Sequence, residues 1–184
     1  AGVAFSIDPE SGNKNVIVIN SSYGLGEIVV GGQVVPDEFL VFKPTLRKGF
    51  NSIIDKKMGV KENMIMCSDS QDKRTRVVPV SRQARDRFSL SDPHIIELAN
   101  IVCKLEDYYS DLGGNWCPVD VEWAVDGETD EMFIVQARPE TVHSNRDVNL
   151  LITYSIDPQI PRRKLGQGVA VGDKISSGKV QVMC

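Results

Sequence analysis

Asp120, Glu122, Gln136 and Arg138 have the side-chain types and the spacing to work together on a phosphate. Two carboxylates and an amide oxygen are hard oxygen ligands, the kind a magnesium ion carrying phosphates takes. A guanidinium beside them offers a fork for a phosphate oxygen and for charge that develops during transfer. An ordinary hairpin with a solvated polar face shows the same alternation, since polar-out is the default for a half-buried strand. The residues alone leave both readings open.

The elements that must position these four lie between Pro118 and Glu140, PVDVEWAVDGETDEMFIVQARPE. Val119, Val121, Trp123 and Val125 fall on one face of a strand, with Asp120, Glu122 and Ala124 on the other. Asp126-Gly127 opens a short acidic connection of hairpin type. The return strand is expected to put Phe133, Val135 and Ala137 on one face and Met132, Ile134, Gln136 and Arg138 on the other. If the apolar faces share a core, the four polar groups share the opposite side.

The bulk numbers set bounds. A length of 184 residues allows one domain or one and a fraction. Hydrophobic content of 41% with 25% charged residues is ordinary for a globular protein with a core. A net charge of -4 gives no overall positive field toward nucleic acid, so phosphate would have to be held locally. Cys67, Cys103, Cys117 and Cys184 show no C-x-x-C spacing, and His94 and His143 complete no zinc pattern. The cysteines read as small apolar fillers, reduced in a cytoplasmic setting. No apolar run is long enough for a membrane span. The opening AGVAFSIDPESG has no basic segment followed by an apolar one, as a secretory signal would. Both ends read as interior strand, which suggests a piece of a longer protein whose cut edges could drive homo-oligomer formation.

Along the chain, Gly2–Ile7 and Val16–Ile19 read as a first hairpin across the turn residues from Asp8 to Asn13. Ser21-Ser22-Tyr23-Gly24-Leu25-Gly26-Glu27 follows. Its glycines would let backbone N–H groups approach a phosphate, but a tight turn before a short helix reads equally well. Asp37–Lys43 reads as a strand, Thr45–Lys57 as a helix stopped by Gly59, and Asn63–Ser68 with Arg74–Val80 as a second hairpin. Arg74, Arg76 and Arg82 read as solvated surface. The best helix starts near Ser91-Asp92-Pro93, with Asp92 as cap, and ends at Gly113-Gly114. Its apolar stripe is Ile95, Ile96, Ala99, Val102, Cys103 and Leu105. His94 reads as a surface histidine at the helix end. From Gly166 the composition shifts to glycine, valine and lysine, which places a boundary at residues 155–165.

In this order AGVAFSIDPESG, SSYGLGEIVVGG, PDEFLVFKPTL, RFSLSDPHIIELA, PVDVEWA, IVQARPETV and GVAVGDKISSGKVQV resemble the phosphoenolpyruvate synthases, or pyruvate, water dikinases. Pyruvate, phosphate dikinases and antibiotic phosphotransferases share a looser version. The resemblance implies an α+β fold: residues 1–154 as the second part of an ATP-grasp nucleotide-binding domain, with mostly antiparallel sheet and flanking helices. It implies a linker at 155–165 and the first strands of a swivelling phosphohistidine domain at 166–184. It assigns Glu122 and Gln136 to Mg2+ on the ATP phosphates, Arg138 to the phosphoryl group being transferred, Asp120 to support, and Glu27 to the neighbourhood of the nucleotide. His143 is not the family's phosphorylated histidine, whose glycine- and threonine-rich motif this chain does not contain. The implied reaction takes ATP, pyruvate and water to AMP, phosphoenolpyruvate and phosphate, with the other domains of the same enzyme as partners. The isolated chain is expected to lack that turnover. A phosphotransferase with another acceptor and a non-catalytic nucleotide-binding domain are the competing readings.

Overall fold

A computed structural model describes residues 1–68, 74–140, 155–157, 159–161, 163–166, 175 and 177–179. His143 and most of the expected second unit at 166–184 lie outside these, while the expected linker at 155–165 is described except for residues 158 and 162. Six strands form one sheet: β1 Gly2–Phe5, β2 Val16–Ser21, β3 Asp37–Phe42, β4 Ile53–Lys57, β7 Val119–Val125 and β8 Met132–Pro139. Their order across it is β4-β3-β2-β1-β7-β8, and each neighbouring pair is antiparallel. A separate hairpin joins β5 Asn63–Cys67 to β6 Thr75–Pro79. Three short helices, α1 Glu27–Val30, α2 Lys43–Leu46 and α3 Arg82–Arg85, accompany one long one, α4 Asp92–Gly113. The α+β class and the antiparallel sheet are as expected.

Helix α4 covers one face of the sheet. Ile95, Leu98, Ala99, Val102 and Cys103 pack with Ala4, Ile17, Ile19, Phe39, Val41, Val121 and Trp123 in a single buried cluster. Alternation in the strands turns the remaining side chains to the opposite face, away from α4. The cap of α4 is Ser91 rather than Asp92: the Ser91 Oγ accepts a hydrogen bond from the His94 N–H. Asp92 instead receives the Lys56 ammonium at 2.8 Å. Gly114 ends the helix at φ 68, a left-handed position suited to glycine. Ser91→Ala should therefore lower unfolding stability by about 1 kcal/mol, and Asp92→Ala by less, since its partner is a solvated lysine. Urea titration of the two variants measures the difference, and a larger loss for Asp92→Ala would restore Asp92 as the cap.

The expected helix over 45–57 is overturned. Only Lys43–Leu46 is helical, and Ile53–Lys57 is edge strand β4, paired with β3 across a bulge at Leu40/Val41. Gly49, at φ 80, breaks the run between them. Leu46 and Ile53 reach the core, while Phe50 and Ile54 are exposed, so the apparent helical stripe comes from two different elements. Gly59 is no helix stop either. Its N–H donates to Asp37 Oδ1 at 2.8 Å, and a Cβ there would lie 2.1 Å from the Pro36 carbonyl oxygen. Lys43 is buried as the first residue of α2 and pairs with Glu106 at 2.6 Å. Of the described cysteines, Cys103 is the buried filler expected, but Cys67 is exposed and Cys117 half-buried. Burial pushes the Cys103 thiol pKa up. No helix among the described residues is long and apolar enough to cross a membrane.

Two ionic clasps tie the loops to the sheet. Beside Lys43–Glu106, the Asp37 carboxylate takes Lys61 on one oxygen, while Ser89 N and Oγ donate to the other at 2.7 Å each. Ser89 Oγ also lies 2.9 Å from Ser21 Oγ, which joins the start of β3, the end of β2 and the segment leading into α4.

Candidate phosphate-binding face

The β7–β8 hairpin pairs Asp120 with Arg138 and Glu122 with Gln136. Directly opposed residues share a face, so all four polar side chains stand together, on the side of the sheet away from α4. Asp120 sits low, 19% exposed, and Arg138 stands above it, 66% exposed, with Nε 3.4 Å from Asp120 Oδ2. The carboxylate meets the guanidinium at Nε. Glu122 is half-buried and Gln136 exposed. Opposed positions place their Cβ atoms about 5 Å apart, within the span of one small cation.

The expected facing of β8 holds for only part of the strand. Glu122 pairs with Gln136 but Trp123 pairs with Ile134, so Val135 is one residue too many. This bulge reverses the phase. Met132 and Ile134 turn to the core, while Phe133 and Val135 are exposed, at 51% and 66%; Ala137 packs on the core as expected. An uninterrupted strand could not bury Ile134 and still present Gln136 and Arg138 outward. The bulge reconciles the two demands. The connection is a loop of residues 126–131. Asp126 Oδ1 accepts from the Glu128 and Thr129 N–H groups at 2.8 and 2.9 Å. Those bonds, Thr129 first, hold the Asp126 carboxyl below its usual range. His94 is not merely a surface residue: Nε2 lies 3.6 Å from Asp130 and Nδ1 lies 3.0 Å from Ser91 Oγ, linking the helix start to this loop.

Glu27 stands apart from the four. It is exposed at the start of α1, and Gly26 before it packs on Ala1 and Gly2, where a Cβ would sit 3.7 Å from Ala1 Cβ. Gly2 pairs with Trp123, one position along from the Glu122 row. Gly24 is at φ 74, with Leu25 N–H donating to the Ile65 carbonyl at 2.8 Å. This is a tight turn held against β5. A cavity of about 250 Å³ lies elsewhere, between Gly32–Val35 and Val60, Glu62 and Asn63, and none of the four residues lines it.

Sequence reasoning missed the width of the face. Because β1 lies between β2 and β7, the Glu122–Gln136 row continues through Val3 and Asn20 to Glu38, and the Asp120–Arg138 row through Phe5, Val18 and Leu40. Alternation within β1 and β2 was readable, but the strand order that extends the rows was not. Among the described residues no group of three or more His, Cys, Asp or Glu side chains could cage a metal. One carboxylate and one amide oxygen suit magnesium that keeps water and phosphate in its other positions.

The chain is 46% identical to the phosphoenolpyruvate synthase of Aquifex aeolicus over 186 residues, and 40% identical to that of Escherichia coli over 185. Each alignment covers 100% of this chain and 22% of the relative, so the chain spans less than a quarter of these proteins' length. Residues 1–153, which include the whole polar face, match the profile described as pyruvate phosphate dikinase, AMP/ATP-binding domain, and the chain belongs to that family.

Proposed function

We propose that this chain is the second part of an ATP-grasp unit and supplies the metal-and-phosphate side of the ATP site in a pyruvate, water dikinase. The observation that carries the proposal is the register of β7 and β8, which stacks Asp120 on Arg138 and Glu122 on Gln136 on the face of the sheet away from α4. Glu122 and Gln136 hold magnesium through their oxygens. The metal, when bound, neutralises charge on the phosphate chain and fixes its orientation. Arg138 directs its fork at the phosphoryl group that leaves ATP, and Asp120 fixes the guanidinium from below. Glu27 lies at the edge of the nucleotide. The remaining parts of the ATP site belong to the first part of the ATP-grasp unit, pyruvate and the carrier histidine to other domains of the full-length enzyme, and residues 166–184 begin the phosphohistidine domain.

Titration of the full-length enzyme with magnesium–ATP tests this reading. Glu122→Ala and Gln136→Ala should each weaken binding about tenfold or more, as loss of a charge-assisted contact does, and added magnesium should recover part of it. Two variants that bind like wild type would end the metal assignment. They would favour a domain that keeps the fold without the chemistry.

A further inference from the structure

Asn20 stands on the face away from α4, in the same cross-sheet row as Glu122 and Gln136, with Val3 between. Its neighbour on the other side, Glu38, lies 3.9 Å from Lys57. Asn20 itself is half-buried. Among the described residues its amide forms no hydrogen bond, and the same is true of the Glu122 and Gln136 side-chain heads. Three polar heads therefore share one row and have no partner among the described residues. Asn20 and Glu122 are half-buried and Gln136 is exposed, so the row is open to water and, in its place, to a polar ligand that offers the same hydrogen bonds. Val3 forms an apolar floor and offers no competing partner.

The separation indicates how the row is used. Asn20 and Glu122 lie two strand spacings apart, about 10 Å at the Cα atoms. That is too far for the two heads to meet, and close enough for both to touch one extended anion. An amide presents an N–H2 donor as well as a carbonyl oxygen. Toward a triphosphate whose charge the metal and Arg138 offset at one end, the donor is the useful group. The next position in the row, Glu38, carries the wrong charge and is tied to Lys57.

Resting on the reading above, we propose that Asn20 is a further nucleotide-binding residue, donating from its amide to a non-bridging oxygen of the ATP phosphate chain, opposite Arg138. The full-length enzyme with magnesium–ATP and with AMP as separate probes tests it. Asn20→Ala should raise the Kd for magnesium–ATP about tenfold, leave the Kd for AMP within about twofold, and leave the melting temperature unchanged. Asn20→Asp, which sets a carboxylate against the phosphates, should lose about tenfold more. If the alanine variant melts early, Asn20→Val, better suited to a strand and without a donor, gives the same comparison. Magnesium–ATP binding at wild-type strength in Asn20→Ala, beside a loss in Glu122→Ala, would overturn this inference alone. Equal losses for ATP and AMP would overturn it as well. Glu122→Ala binding like wild type would bring down the underlying reading and Asn20 with it.

Discussion

Asp37→Ala is expected to lower the unfolding free energy by about 3–5 kcal/mol, the range for removing one partner of a buried ion pair. The Asp37 and Lys61 side chains are both 0% exposed. Alanine at 37 would leave the Lys61 ammonium in the interior with only the Gly59 carbonyl, 2.9 Å away. It would also orphan the Gly59 and Ser89 N–H groups and leave the Ser89 hydroxyl with Ser21. Lys61→Met strands the carboxylate instead, but leaves it the Gly59 and Ser89 bonds, so it should cost less. The double variant should cost far less than the sum, because the uncompensated charge disappears with its partner. Lys61 also holds a left-handed backbone, φ 46, that lysine adopts only at a cost. Lys61→Gly should relieve about 1 kcal/mol of that backbone cost but empty a fully buried site, so it should be less stable than Lys61→Met. Urea titration of the four variants provides the comparison. A loss under about 1 kcal/mol for Asp37→Ala would mean that water reaches the pair. The clasp bears on the site because it anchors the end of β2, and with it the turn that carries Glu27.

The parts of this fold legible in the sequence are those where one local signal suffices. Alternation gave β1, β3 and β7, a bounded apolar run gave β2, a polar turn between two runs gave the β5–β6 pair, and the Ser91-Asp92-Pro93 start with the Gly113-Gly114 stop gave α4 nearly to the residue. The four polar residues were legible because β7 and the part of β8 that carries Gln136 and Arg138 both alternate cleanly. The failures have a different cause, a tertiary partner that no local window contains. Val135 is an extra residue only with respect to Glu122 and Trp123, so the inverted facing of Phe133 and Ile134 cannot be read from β8 alone. Residues 53–57 become a strand because β3 offers an open edge, against a spacing of Leu46, Phe50, Ile53 and Ile54 that favours a helix. Glu106 lies on the buried side of α4 because Lys43 meets it from α2, and Trp116 Nε1 donates to it at 3.2 Å. Asn20 was passed over for the same reason. It becomes a candidate only when β1 is known to lie between β2 and β7.

Arg138→Ala is the variant expected to cost the full-length enzyme most. Phosphoryl transfer asks a protein for positioning and for charge at the moving group, and an arginine so placed accounts for about a thousandfold in kcat. The side chain is 66% exposed and pairs with Asp120 through Nε. It therefore contributes little to folding, and the variant should keep its melting temperature. Magnesium–ATP affinity should fall by about tenfold at most, because Glu122 and Gln136 still hold the metal; the larger loss belongs to turnover. Arg138→Lys should recover little, since a single ammonium cannot grip Asp120 and a phosphoryl oxygen together as a fork does. Asp120→Asn tests the anchoring directly. It keeps the size of the side chain and removes the charge that orients Arg138, so kcat should fall by about tenfold with KM for ATP nearly constant. Steady-state phosphoenolpyruvate formation, paired with nucleotide titration, separates the two effects. Arg138→Ala turning over at the wild-type rate would assign the guanidinium to ground-state binding or to the surface. The Asp120–Arg138 pair would then be an ordinary cross-strand ion pair on a hairpin whose chemistry ends at Glu122 and Gln136.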